Sequence, residues 1–189
     1  LSGDSGSGKS TFLDILVGLL EPISGIVVSN KSTNTTNQFK HKTLKIGYAT
    51  QETFILQGSV LSNLCVAEQE INFDWLIDCL ALCEINELFG CKGKELLGCE
   101  IFESGSNLSG GQKQRLGIAR SLVRKPDIVI LDEATSGLDA KTERLLLSRL
   151  RTLPWDCIVV IVSHHDRTFE FCDQILSIKN GKLSKVEKI

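Results

Sequence analysis

"LSGDSGSGKSTFLDILVGLL", residues 1–20, decides how the chain is read. Gly3, Gly6, Gly8, Lys9 and Ser10 satisfy the spacing GxxxxGK[ST], and each residue type has a physical task there. Glycine reaches positive φ without steric cost and lets backbone N–H groups approach an anion with no Cβ in the way. Lysine brings a mobile positive charge to a phosphate, serine a hydroxyl for a divalent cation, and the following helix points its positive end at the same spot. Apolar residues at 12, 13, 15, 16, 19 and 20 predict that helix, buried on one face and stopped by Glu21-Pro22.

A loop of this kind follows a strand that aims it, yet only Leu1 and Ser2 precede it. The expectation is a chain truncated at its N-terminus, which would fold poorly alone because its sheet lacks that strand. Downstream, "SGIVVS" at 24–29 reads as a strand, "NKSTNTTNQ" as a surface hairpin loop, and "LKIGYATQ" at 44–51 as another strand. Residues 60–89 have helical apolar spacing, with Phe73, Leu76, Ile77, Leu80 and Ile85 on roughly one face. "LSGGQKQRLGIARSLVRKP" predicts a helix that opens at Ser109, packs through Leu116, Ala119, Ser121 and Leu122, and ends before Pro126.

"DIVILDEATSGLDA" gives a continuous apolar strand at 128–131 with Asp132 and Glu133 at its carboxyl end. Adjacent carboxylates on a strand point to opposite sides, so the two are expected to do different work. A helix over about 140–153, a buried strand in "CIVVIVSHH", and a strand, Asn-Gly turn and strand in "QILSIKNGKLSKV" complete the chain. Strands alternating with helices predict an α/β sheet with its site at the carboxyl edge.

At 189 residues the chain has room for one well-filled domain. With 21 basic and 23 acidic residues, a net charge of -2 and no long run of either sign, nothing suggests a nucleic-acid surface. Seven cysteines without a CxxC pair read as reduced structural thiols. The apolar runs at 128–131 and 157–162 fall far short of the ~20 residues that a membrane helix needs.

With the loop, Leu108-Ser109-Gly110-Gly111-Gln112 and "ILDEATSGLD" at 130–139 in hand, the chain resembles the nucleotide-binding domain of ABC transporters over essentially its whole length. The resemblance implies a RecA-like P-loop NTPase core with a mostly parallel sheet (1–56 and 126–189) and an inserted helical subdomain (57–125). It also implies that the first strands and the aromatic residue that stacks on adenine lie upstream. ATP and Mg²⁺ are the implied cofactors. Gly3, Asp4, Ser5, Gly6, Ser7, Gly8, Lys9, Ser10 and Thr11 would form the ATP-binding loop, and Ser10, Gln51 and Asp132 would serve Mg²⁺. Glu133 looks like the general base, with His164 as the switch histidine and Gln51 as the sensor of a membrane partner. Leu108, Ser109, Gly110, Gly111 and Gln112 would bind the ATP of an opposite cassette, and Asp139 would lie in the loop that crosses the dimer interface.

Ala134, "FILQGSVLSNL" at 54–64 and "EIFESGSNLSGGQ" with Glu103 are similar to exporter cassettes, although Phe102 replaces the usual glycine. The implied protein is an exporter ATPase on the cytoplasmic face of the cell (inner) membrane. It would pair head to tail with a second cassette, and its closing would drive a transmembrane domain fused upstream. The alternative is a soluble, non-transport ABC ATPase acting on nucleic acid or ribosomes; the coiled-coil, zinc or basic insertions that mark such proteins are not in the sequence. His165 is read as a bystander beside His164, His41 as an exposed residue, and Trp75 and Trp155 as packing residues.

Overall fold

Three parallel strands carry the fold. In the computed structural model, which describes residues 1–25, 27, 44–66 and 72–188, β6 (Ile128–Asp132) lies between β1 (Ile46–Thr50) and β7 (Ile158–Val162). The register sets Ile130 opposite Tyr48 and Val160, and Asp132 opposite Thr50 and Val162. Residues 128–131 are all buried, as expected of a parallel strand covered on both faces. Val129 and Leu131 enter the larger core, while Ile128 and Ile130 enter a smaller one with Leu13. The expected strand at 24–29 and the Ser/Thr/Asn loop after it fall largely outside the described residues.

Leu1 and Ser2 occupy the lane between β7 and β8 (Gln174–Lys179). The Leu1 amino group donates to Ile161 O at 2.6 Å. Ser2 N–H donates to Leu176 O at 2.8 Å and Ile178 N–H to Ser2 O at 2.9 Å. β8 turns back into β9 (Lys182–Lys188) around Asn180 and Gly181, both at positive φ, the turn that the Asn-Gly pair predicts.

The helix after the loop, α1 (Lys9–Leu16), is shorter than its apolar run. Gly18, at φ 77°, adopts the left-handed conformation; its N–H bonds Ile15 O and that of Leu19 bonds Asp14 O. This Schellman ending stops the helix ahead of Glu21-Pro22. Leu13 is fully buried, but Leu19 is 75% exposed and Phe12 and Leu20 also face solvent, so the expected buried face narrows to Leu13 with Leu16 and Val17 packed half-buried beside it.

α5 (Gly110–Leu122) lies across β1 and buries Leu116, Ala119, Ser121 and Leu122, the four residues expected to pack. The approach is close: a Cβ on Gly47 would sit 2.1 Å from Ser121 O. Truncating a fully buried leucine such as Leu116 to alanine costs about 2–5 kcal/mol.

The stretch expected to be helical holds α2 (Val60–Leu64) and α3 (Phe73–Leu82). The buried face of α3 is Leu76, Cys79 and Leu80, continued by Cys83 and Ile85, whereas Phe73 is exposed. Residues 87–89 are not helical, because Glu87–Leu88 (β3) pairs antiparallel with Cys91–Lys92 (β4) across Gly90 at positive φ. α4 (Glu95–Gly98) leads to β5 (Glu100–Ile101), which pairs with β2 (Gly58–Ser59).

Trp75 and Trp155 meet edge to face at 5.4 Å and donate to Val123 O and Pro126 O. They pack, as expected, and clasp the link from α5 to β6. α6 (Ala140–Leu150) ends short of 153, ahead of Pro154, which disfavours helix in the residue before it. All seven cysteines are reduced, none of them in a disulfide. Among the described residues no helix is long and apolar enough to cross a membrane.

Candidate functional site

The lane formed by Leu1 and Ser2 delivers the chain to the carboxyl edge of the sheet, where the glycine loop turns into α1. Gly3 sits at φ 145°, and a Cβ there would come within 2.3 Å of Ile178 O, so only glycine fits. Gly6 and Gly8 are also at positive φ, and the space beyond Gly6 is open. Lys9 is 8% exposed. Its ammonium lies back over the loop, donating to Gly3 O at 2.7 Å and Asp4 O at 2.9 Å. Ser7 Oγ is buried without a hydrogen-bond partner. An open, glycine-walled cradle with a lysine at its floor and an unpaired buried hydroxyl is what an anion would complete.

Across from the loop, β6 ends at Asp132, whose Oδ2 accepts the Tyr48 hydroxyl at 3.0 Å. Burial and, after it, this bond to a carboxylate push the Tyr48 phenol above its ordinary value. Glu133 leaves the strand at φ 53°, a conformation that costs a non-glycine residue energy and gathers at functional sites. The alternation expected for adjacent strand carboxylates therefore does not apply. Both border one cavity of about 260 Å³, with Ser5, Gly6, Gly8, Lys9, Ser10, Thr11 and His164. Glu133 Oε1 lies 3.1 Å from His164 Nε2. A carboxylate offers only acceptors, so the ring nitrogen is the donor.

A family model described as "ABC transporter" matches residues 1–136. The chain belongs to the ABC transporter family. The cassette is 32% identical over 184 residues to a probable ABC transporter ATP-binding/permease protein of Haemophilus influenzae, covering 97% of this chain and 33% of that protein. It is 36% identical over 180 residues to the probable microcin-H47 secretion/processing ATP-binding protein MchF of Escherichia coli, covering 94% of this chain and 25% of that one. A solved structure of a bacterial Atm1-family ABC exporter with ATP bound superposes with a TM-score of 0.82 at 26% identity, over 98% of this chain and 33% of that chain. The cassette thus spans a quarter to a third of these relatives, and its fold is the α/β P-loop core with a helical insertion that the sequence predicts.

The remaining signature residues of the cassette lie away from this cavity. Ser109 caps α5 in a capping box, its Oγ accepting Gln112 N–H at 3.2 Å while Gln112 Oε1 accepts Ser109 N–H at 2.7 Å. Gly110 is exposed, and Gly111 faces Leu138 and Gly137. Asp139 caps α6, accepting from Lys141 N–H, Thr142 N–H and, at 2.6 Å, Thr142 Oγ1; these bonds, the Thr142 hydroxyl first, hold its carboxyl below the ordinary range. Gln51 is exposed just past β1 and does not border the cavity.

Three residues that the motifs did not single out stand beside those that they did. Tyr48 reaches Asp132 because the parallel register sets it opposite Ile130, two residues back on the same face. Gln114 Oε1 accepts Gly137 N–H at 3.0 Å, and its Nε2 lies 3.4 Å from both Gln51 O and Ser136 Oγ. Glu143 is 2% exposed and shares the buried face of α6 with Leu146, Leu147 and Leu150. A carboxylate in an apolar helical stripe was the available sequence signal. A second cavity, about 390 Å³ between α6 and the turn Asp166–Phe171, is lined by Arg144 and Arg167. Both guanidiniums are engaged, by Glu170 and Glu143.

Proposed function

We propose that this cassette binds ATP with Mg²⁺ and hydrolyses it, as the motor domain of an exporter. The observation that carries the reading is the Glu133–His164 pair, 3.1 Å apart on the wall of the cavity that Lys9 and the glycine loop also line. Phosphoryl transfer asks for charge neutralisation, in-line placement and a positioned water rather than covalent chemistry.

Lys9, displaced from the loop carbonyls, would neutralise the outer phosphates, and the amides of Gly6 to Ser10 at the start of α1 would bind their oxygens. Glu133 would accept the proton of the attacking water, with His164 holding the carboxylate and sensing the γ-phosphate. Among the described residues no three His, Cys, Asp or Glu side chains gather as a metal cage. That suits Mg²⁺, which binds through one or two carboxylates, waters and the phosphates themselves. Ser10 and Asp132 on the cavity wall would hold it, joined by Gln51 once that side chain turns in from the end of β1, and it would supply charge neutralisation of the phosphates.

In this reading the start of α5, from Leu108 to Gln112, faces the ATP of a second cassette, and the segment ending at Asp139 crosses between the two. Residues 57–125 act as a helical subdomain on the core formed by 1–56 and 126–189. A transmembrane domain fused upstream takes up the closing motion on the cytoplasmic side of the membrane, a reading supported by the ATP-binding/permease name of the Haemophilus influenzae relative. The test is Glu133→Gln in the full-length protein. Retained nucleotide binding, a stabilised ATP-bound dimer and near loss of turnover are expected; wild-type turnover refutes the base assignment.

A further inference from the structure

Glu133 and His164 project from the ends of two different strands, so their separation depends on what fastens those ends together. The parallel ladder runs up to Asp132 opposite Val162, and past it Glu133 N–H donates to Val162 O at 3.1 Å. Behind it stands Glu143, entering from the first turn of α6 and 2% exposed. Its Oε1 accepts the Thr135 hydroxyl at 2.9 Å and lies 3.4 Å from Thr168 Oγ1. Its Oε2 accepts Arg167 Nε–H at 2.6 Å. Thr168 Oγ1 is 3.0 Å from Ser163 Oγ, which in turn accepts His165 N–H at 3.0 Å.

These bonds have a fixed direction. A carboxylate only accepts, so Thr135 and Thr168 both donate to it. Thr168 must then accept from Ser163, and Ser163, having donated, accepts the backbone N–H beside His164. Every hydroxyl in the relay is used, and the whole is polarised toward one buried acceptor. Thr135 lies two residues beyond Glu133, and Ser163 immediately precedes His164.

We propose that Glu143 is a positioning residue for hydrolysis: it clamps the turn that carries Glu133 to the turn that carries His164, and so sets the spacing of that pair. The proposal rests on the reading of Glu133 as base with His164 as its partner. Glu143 touches neither residue, and nothing in the relay reaches the glycine loop, so its loss acts on the rate rather than on nucleotide affinity.

The test uses the full-length protein reconstituted in nanodiscs, with Thr168→Val and Thr135→Val each removing one hydroxyl at nearly constant shape, and Thr168→Ser and Thr135→Ser restoring it. Glu133→Gln is run alongside. Each valine variant is expected to lower kcat about tenfold with an unchanged KM for ATP, and serine to recover most of the loss. If one valine variant does not fold, the other decides. A loss below fivefold, a loss matched by a rise in KM, or a loss that serine does not reverse overturns the proposal. Wild-type turnover by Glu133→Gln refutes the underlying reading instead, whatever the threonine variants do.

Discussion

Glu133 Oε1 and His164 Nε2 face one another at 3.1 Å across the carboxyl ends of neighbouring parallel strands. A general base worth about 100- to 10,000-fold in rate leaves that deficit when Glu133 becomes glutamine. The substitution keeps the shape, and the glycine loop is untouched. Phosphate release should fall by that factor while equilibrium binding of a fluorescent ATP analogue stays within twofold of wild type.

Lys9 is the cationic side chain on the cavity wall that the glycine loop supplies. A charge-assisted hydrogen bond contributes about 1.5–3 kcal/mol, so Lys9→Ala should weaken ATP binding by roughly ten- to a hundredfold. Isothermal titration measures it directly. An unchanged dissociation constant would remove lysine from the phosphate site.

Tyr48 donates to Asp132 from the neighbouring strand. Tyr48→Phe frees one carboxylate oxygen and should cost about 1 kcal/mol in stability. It should also change the Mg²⁺ concentration at which nucleotide binding is half-maximal. The native phenol is held above its ordinary value of 10.0, so its stabilising contribution is complete below that pH. It is lost as the pH rises toward the folded-state value. Melting temperatures from pH 8 to 11 should converge between wild type and Tyr48→Phe at the alkaline end; parallel curves would show that the bond is not made.

Asp139 works in the opposite sense. Its carboxyl lies below the ordinary 3.8, so the cap contributes fully above that value and fades as the pH falls through the folded-state value. Asp139→Ala should melt earlier than wild type at pH 7, with the gap closing as the pH falls below 3.8 and through the lower folded-state value. Circular dichroism along a pH series would follow it, and a gap that persists in acid would mean that the loss is one of packing.

The central strand was legible because a parallel strand buried on both faces reads as an unbroken apolar run, as at 128–131. The apolar run at 158–162, expected to be buried, is buried only at Ile161 and Val162 and leaves Ile158 exposed, because among the described residues β7 is flanked at its start by no further strand of the parallel sheet. The end of α1 was not, because the apolar spacing continues to Leu20 while Gly18 had already set the left-handed stop. On α3 the buried face runs through Cys79 and Cys83, which behave as small apolar residues when buried; counting only Phe, Leu and Ile turned that face toward Phe73. The candidate site shows the same division. Motif spacing named Lys9, Asp132, Glu133 and His164, and the fold gathers all four around one cavity. The left-handed turn at Glu133 and the reach of Tyr48 to Asp132 depend on backbone conformation and strand register, which no local pattern of residues encodes.

The seam between β7 and β8 has a mechanical meaning. Among the described residues, the hydrogen bonds that tie the hairpin of β8 and β9 to the parallel strands run through Leu1 and Ser2, the same residues that lead into the glycine loop. The hairpin tip also grips that loop, with Gly181 N–H donating to Ser7 O at 2.8 Å. Whatever tightens the loop therefore pulls on the zipper that joins the two parts of the sheet. Amide protons of Ile178 and Gly181 should exchange more slowly with deuterium when nucleotide is bound, and should report occupancy of the loop through the hairpin.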